Sequence, residues 1–202
     1  MKNIVCAALF ALVAGSAAAT PISFNIGKSF TQGGTSADYA AQNVVLGTGV
    51  TLTLDPGFSG QYLDLELMNG SMGMTSNSTE SGLKVFGANS AISASTIGFT
   101  ITNSWGEALT NNIPMTGWTS SFTDGFVGFV TAAGQYGYID VDWTYNPGTR
   151  IGTLTLKNGA YESVAGTAIT TSTTSANVPE PASLALLAAG LFGVAVARKR
   201  RA

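Results

Sequence analysis

The stretch GFVGFVTAAGQYGYIDVDW, residues 125–143, predicts an antiparallel β-hairpin. Both arms are rich in aromatic and β-branched residues, which strands prefer, and AAGQ between them supplies a glycine for the turn. Side chains along a strand alternate between its two faces. In the second arm, one face carries Ile139, Val141 and Trp143, and the other carries Tyr136, Tyr138, Asp140 and Asp142. We expect the first face to meet the core and the second to meet solvent.

Regular alternation of apolar and polar residues continues outside this hairpin. In QYLDLELMNG (61–70), three leucines share one face, whereas Asp64 and Glu66 share the other, which we expect to be solvated. The other strand-like runs are GVTLTLD (49–55), ASTIGFTITN (94–103) and RIGTLTLKNG (150–159). SMGMTSNSTESG (71–82) is instead predicted to be an exposed loop.

Turn-forming sequences separate the strand-like runs: DPG (55–57), NG (69–70), NPG (146–148) and NG (158–159). No long amphipathic helix is evident between them. Many short strands with one apolar face predict an all-β fold, an antiparallel β-sandwich of jelly-roll-like type over residues 20–166. The small polar run TAITTSTTSAN (167–177) is predicted to be a flexible linker.

The composition excludes several classes of function. The chain has no histidine, and its one cysteine is Cys6. This removes the commonest general base, the commonest zinc ligand and any disulfide framework. Between Thr20 and Asn177, four basic residues stand against ten acidic ones, a net charge of −6. A domain this acidic lacks the basic surface that nucleic-acid binding requires.

The first 19 residues, MKNIVCAALFALVAGSAAA, predict a signal peptide. Lys2 forms a basic start, an apolar run follows from residue 4 to residue 14, and small residues precede a break. Ala17 and Ala19 satisfy the small-x-small rule, so we expect signal peptidase to cut after Ala19. The mature chain would then begin at Thr20.

The C-terminus, VPEPASLALLAAGLFGVAVARKRRA (178–202), joins an apolar run to a basic tail. The uncharged residues 182–197 would span about 24 Å as a helix, which is short of the ~30 Å hydrocarbon core. The basic side chains of the tail can extend to the headgroups and make up the difference. We therefore predict a transmembrane helix at 181–197, with the basic tail 198–202 in the cytoplasm.

This C-terminal segment closely resembles the sorting signal of the PEP-CTERM proteins. The family signal is a Pro-Glu-Pro motif, a short transmembrane helix with a glycine-rich middle, and an arginine-rich tail. The matching residues here are Pro179, Glu180 and Pro181 in the motif, and Arg198, Lys199, Arg200 and Arg201 in the tail. The same tail is also known as an ice-binding protein C-terminal domain, a label that describes the tail and is no evidence of ice binding.

The resemblance implies a route for the protein. Exosortase, a membrane-embedded transpeptidase-like enzyme of Gram-negative bacteria that make exopolysaccharide, recognises the signal. The chain would be its substrate, anchored in the inner membrane before processing and then released towards the cell surface or the extracellular matrix. The seven motif and tail residues would be recognition residues rather than catalytic ones. Residues 136–170 also resemble a pattern found in many PEP-CTERM passenger domains, which implies a β-sandwich passenger.

Three kinds of ligand chemistry are open on the residues alone. Asp140 and Asp142 are weak candidates for calcium, since two carboxylates on one strand face repel each other. Tyr136 and Tyr138 form a candidate carbohydrate-binding face. A glycosidase needs only two carboxylates, and Glu107, Asp124 and Glu162 are available, but no spacing marks a pair.

Together these features predict a secreted, non-enzymatic protein of the cell envelope or exopolysaccharide matrix. It requires no cofactor, and its partners are signal peptidase, exosortase and extracellular polysaccharide, with no nucleic acid. The alternative is a carbohydrate-binding or glycoside-hydrolysing module at the cell surface.

Overall fold

The computed structural model describes residues 19–32, 42–46, 50–55, 62–77, 80–102 and 105–173. The predicted signal peptide up to residue 18, including Ala17, and the predicted sorting signal and transmembrane helix lie outside these ranges. The strands are β1 (Pro21–Thr31), β2 (Gln42–Leu46), β3 (Val50–Asp55), β4 (Leu63–Leu67), β5 (Gly70–Met74), β6 (Glu80–Gly82), β7 (Val85–Phe86), β8 (Ala91–Ile92), β9 (Phe99–Thr102), β10 (Trp105–Thr110), β11 (Ile113–Pro114), β12 (Phe122–Thr131), β13 (Tyr136–Asn146), β14 (Ile151–Glu162) and β15 (Ile169–Thr170).

The strands form two larger sheets and one small one. Sheet I has the order β1-β14-β13-β12-β5-β9, with β7 also paired to β12. Sheet II has the order β11-β10-β4-β3-β2, with β6 paired in parallel to β10. The small sheet consists of β15 and β8. Among the described residues, every strand pair except β6 with β10 is antiparallel, so the prediction of an all-β domain of antiparallel sheets is confirmed.

One apolar core lies between sheets I and II. Sheet II contributes the leucines of β3 and β4, and sheet I contributes the residues of β12, β13 and β14 that face it. The face predicted from alternation in β13 is confirmed, because Ile139, Val141 and Trp143 are all in this core and almost completely buried. Trp143 packs edge-on against Trp118, with ring centroids 5.3 Å apart, and its indole N–H donates to the Trp118 carbonyl at 2.7 Å.

Chain connectivity differs from the predicted jelly-roll-like pattern. The strands β2, β3 and β4 are neighbours in sheet II, and β12, β13 and β14 are neighbours in sheet I, so both sheets contain consecutive hairpins. Two local predictions are also wrong. The NG pair at 158–159 lies inside β14 rather than in a turn, and the predicted loop at 71–82 contains the buried strand β5.

A third layer covers part of the outer face of sheet I, the face that points away from the main core. Its apolar residues form a second cluster of Phe86, Ile92, Ile97, Phe126, Tyr138, Ala160 and Ile169. Tyr138 is only 3% exposed, so the prediction that this face of β13 meets solvent is wrong at that position. The physical reason is that β8 and β15 pack over the strand and bury its second face.

The chain segment 167–173, which we name the strap, belongs to this third layer. The predicted linker at 167–177 is therefore wrong over these residues. Ile169 pairs with Ile92 and is 2% exposed. The Thr171 hydroxyl donates to the Gly87 carbonyl at 2.8 Å and accepts from the Ser90 N–H at 2.9 Å. The Tyr138 hydroxyl donates to the Ser172 carbonyl at 3.2 Å, which fixes the strap to sheet I.

The predicted solvation of Asp64 and Glu66 is also wrong, since their residues are 7% and 8% exposed. The strand β4 is internal to sheet II, between β3 and β10. Within the described ranges, no helix is long and apolar enough to cross a membrane.

Truncating Trp143 should destabilise the domain strongly. We expect Trp143→Ala to lower the free energy of unfolding by roughly 3–5 kcal/mol, as loss of a large buried side chain does. Thr144→Ala, at the exposed neighbouring position, is the matched control and should change it by less than about 0.5 kcal/mol. Urea unfolding followed by tryptophan fluorescence and circular dichroism measures both. Equal effects of the two substitutions would contradict the assigned faces of β13.

Removing the Thr171 hydroxyl should loosen the strap. Thr171→Ala deletes the donor to Gly87 and leaves the Ser90 N–H without its acceptor, so we expect a loss of about 1–3 kcal/mol. Thr170→Ala changes an exposed neighbour and serves as the control. Hydrogen exchange at residues 167–173 should accelerate in the first variant only. Unchanged protection there would show that the strap is held by other contacts.

Candidate functional site

A group of charged side chains lies on the outer face of sheet I, next to the second apolar cluster. It consists of Asp124 on β12, Asp140 and Asp142 on β13, and Lys157 on β14. The strand register shifts close to each of them, between Phe122 and Gly125 on β12 and opposite Asp140 on β14. Bulges of this kind redirect side chains, so residues of three strands converge on one point.

Lys157 occupies the centre of this ionic cluster. Its Nζ lies 2.5 Å from Asp124 Oδ1, 2.9 Å from Asp140 Oδ1 and 2.9 Å from Asp142 Oδ1. It donates hydrogen bonds to Asp124 and Asp142, whereas Asp140 Oδ1 makes no hydrogen bond within the described residues and meets the ammonium as an ion contact. The Asp142 carboxylate also accepts the backbone N–H of Asp124 at 2.9 Å.

Burial differs between the carboxylates and sets their pKa values apart. The Asp140 side chain is 2% exposed, and this burial raises its pKa above the usual value although Lys157 opposes the shift. Asp142 is 32% exposed. Burial by itself would raise its pKa, but hydrogen bonds from Lys157 and the Asp124 N–H outweigh it and lower the pKa. For Lys157, the three carboxylates outweigh burial and raise the pKa.

The three carboxylates have the spacing of a metal site, since one oxygen from each lies within 4.8 Å of the others. The ammonium of Lys157, however, stands where a bound cation would neutralise them. The arrangement therefore acts as an internal ion cluster that fixes the relative positions of β12, β13 and β14. Sequence reasoning found Asp140 and Asp142, considered Asp124 only as a carboxylate for glycoside hydrolysis, and missed Lys157. The signal that could have found them is the break in alternation at FTDG and LKNG, which is typical of bulges.

The predicted aromatic face at Tyr136 and Tyr138 is not a free platform. The Tyr138 ring packs edge-on against Phe126, with centroids 5.3 Å apart, and burial raises its pKa. Tyr136 is half-buried against the same apolar cluster. The prediction of a carbohydrate-binding face is therefore wrong for Tyr138, because no sugar can reach a ring that the strap covers.

The carboxylates considered for glycoside hydrolysis are dispersed over the fold. Glu107 is on β10 of sheet II, directly opposite Asp64 on β4, and both residues are buried. Asp124 belongs to the ionic cluster of sheet I. Glu162 ends β14, where burial raises its pKa and the Ser163 N–H opposes the shift.

The two aspartates of β13 should respond to neutralisation in opposite ways. A lowered pKa in the folded state stabilises the fold above the unfolded pKa of about 3.9 and loses that effect as the pH falls through the folded value. Asp142→Asn should therefore lower the free energy of unfolding at pH 7 by about 1 kcal/mol or less, with the deficit vanishing in acid. Asp140 has a raised pKa, so its ionised form carries a penalty at pH 7. Asp140→Asn should leave stability unchanged or increase it.

Thermal melts of both variants between pH 3 and pH 8 measure this difference. A larger loss for Asp140→Asn than for Asp142→Asn would contradict it. Calcium should leave the wild-type melting temperature unchanged, because the Lys157 ammonium already lies between the three carboxylates that would ligate the ion. A calcium-dependent rise that both substitutions abolish would instead establish a metal site there.

Comparison with known proteins bears on the C-terminus. Searches of curated proteins and of solved structures gave no match to the chain. A family model described as the PEP-CTERM protein-sorting motif matches residues 177–201. These residues include the Pro-Glu-Pro triplet, the apolar run and the basic residues that carry the resemblance. The chain thus bears a PEP-CTERM protein-sorting motif at its C-terminus, directly after the all-β domain.

Proposed function

We propose that this chain is an exported, non-enzymatic protein of the cell envelope or exopolysaccharide matrix, delivered there as an exosortase substrate. The observation that carries the proposal is the sorting motif at 177–201, which marks a protein for exosortase-targeted sorting. It lies close to the folded domain in the sequence, since the described residues of the domain reach Thr173 and the motif begins at residue 177. The folded domain is thus the part that is exported, and the motif directs its sorting.

The two ends of the sequence support one membrane topology. Lys2 precedes the first apolar run, and four basic residues follow the second. Both basic ends remain in the cytoplasm under the positive-inside rule, so the chain between them crosses to the other side. Signal peptidase then cuts after Ala19, and the C-terminal helix holds the protein in the inner membrane until exosortase acts.

A structural or adhesive role fits the chemistry of the domain. The sequence has no histidine, and the mature chain from Thr20 has no cysteine, which removes the commonest general base and the thiol nucleophile. The closest group of carboxylates on sheet I is bound by Lys157, which leaves those groups engaged in holding strands together. The β-sandwich passenger serves as a compact, acidic module for the extracellular matrix.

Processing should depend on the Pro-Glu-Pro residues. In the producing bacterium, we expect mass spectrometry of the surface-released protein to find Thr20 as the first residue and no peptide from 182–202. Replacing Pro179, Glu180 and Pro181 by alanine should remove the recognition element and retain the intact tail in the membrane fraction. Deleting the exosortase should have the same effect on the wild-type chain.

Ser175→Ala, which lies before the matched residues 177–201, is the control and should be processed normally. Recovery of the intact wild-type tail in the protein released from the cell surface would contradict the sorting proposal. Normal processing of the triple alanine variant would show that the release depends on another sequence.

A further inference from the structure

A groove runs along the side of the domain where sheets I and II both end. The strand β1 is an edge of sheet I, and β2 is an edge of sheet II; the two lie in contact without pairing. A depression of about 330 Å³ lies between them. A second depression, of about 350 Å³, shares Ser23, Phe24 and Asn25 with the first and extends to Asn158 on β14. Together they form an elongated groove across β1, which we name the edge groove.

The lining of the edge groove is mainly uncharged and hydrogen-bonding. Four of its side chains are carboxamides: Asn25, Gln42, Asn43 and Asn158. A carboxamide both donates and accepts, which matches the hydroxyl groups of a sugar. The Phe24 ring packs on Phe129, with centroids 6.2 Å apart, and over Gly159, so it belongs to the packing of the core. The carboxamides are therefore the groups of the lining that suit a saccharide.

Lys28 gives the groove a positive charge within an otherwise acidic domain. Two of the other basic residues of the domain are already engaged, Lys157 in the ionic cluster and Lys84 with the Thr96 carbonyl at 2.5 Å. Lys28 is exposed at the edge of sheet I. A carboxylate on a saccharide would be attracted to Lys28, whereas the acidic remainder of the domain surface would repel it.

We propose that the edge groove binds a segment of an acidic polysaccharide chain, with the carboxamides contacting sugar hydroxyls and Lys28 pairing with a carboxylate of the polymer. This inference rests on the proposed matrix function and gives it a site. The extended shape of the groove fits a polymer that passes through rather than a small ligand that is enclosed.

The competing occupant is an extended peptide that pairs with β1, which is an edge strand among the described residues. Features of β1 disfavour such pairing. The register of β1 shifts between Asn25 and Lys28, and Gly27 within this bulge has a φ of +63°. A bulge and an exposed lysine are two devices by which edge strands prevent further strand pairing. The groove is therefore suited to side-chain recognition of a polymer rather than to backbone pairing.

Affinity electrophoresis tests the site directly. The full-length chain in detergent, with each of the four basic tail residues replaced by glutamine so that the tail does not bind polyanions, is run in native gels. The gels contain xanthan, alginate or neutral dextran. We expect both acidic polymers to retard the protein, and dextran to leave its mobility unchanged.

Substitutions in the groove separate this site from non-specific attraction. Asn25→Ala and Lys28→Gln should each weaken retardation about three- to tenfold, as loss of one polar contact does. Arg150→Gln removes an equal charge from the exposed turn between β13 and β14 and should bind as the wild type does. Melting temperatures of all variants verify that they are folded.

Absence of retardation by both acidic polymers, or an equal loss in Arg150→Gln, would overturn the proposal. Unchanged binding by folded Asn25→Ala and Lys28→Gln would do the same. Processing is scored separately in cells with the same groove substitutions. Normal processing without polysaccharide binding would reject the groove and leave the sorting function intact, whereas failed processing of the wild type would reject the sorting function itself.

Discussion

Burial of β13 on both faces is the constraint on which the rest of the domain depends. One face packs in the core between the two large sheets, where Trp143 meets Trp118. The other face, at Tyr138, lies under the third layer. A strand enclosed in this way cannot keep charged side chains in water, so Asp140 requires a counter-charge from a neighbouring strand. The ionic cluster with Lys157 is a direct consequence, and the bulges in β12 and β14 are the means by which the backbone brings its members together.

The main core could be predicted from the sequence because alternation is a local signal. Ile139, Val141 and Trp143, and the leucines of β4, all face the core that their spacing indicated. The outer face could not be predicted, because its cover comes from distant segments. Ile169 is a single apolar residue in a small polar run, and only its pairing with Ile92, far earlier in the chain, makes it part of the fold. Burial of Asp140 depends in the same way on Lys157 and Asp124, whose convergence follows from register rather than from spacing.

Glycine explains two other differences from the sequence-based expectation. Asn158 and Gly159 have the composition of a turn, yet they lie within β14. Glycine is required at position 159 because a side chain there would collide with the Tyr138 carbonyl oxygen on β13 and with the ring of Phe24 on β1. The glycine allows the Phe24 ring to approach the backbone of β14 closely. The ring in turn packs over Gly159, which has no side chain of its own. β5 is hidden for a related reason. Met72 and Met74 are fully buried, but glycine and serine around them give the segment the composition of a loop.

The strap has a mechanical consequence while the tail is still anchored in the membrane. Thr173, the last described residue of the strap, stands six positions before Pro179 in the sequence. Drag on the domain therefore reaches the described fold through the strap, which is held by a two-residue strand pairing and by the hydrogen bonds of Thr171 and Ser172. By contrast, β14 is paired along most of its length with both β1 and β13. The strap is the element that peels first, so the second apolar cluster opens under tension while the core between the two large sheets remains closed.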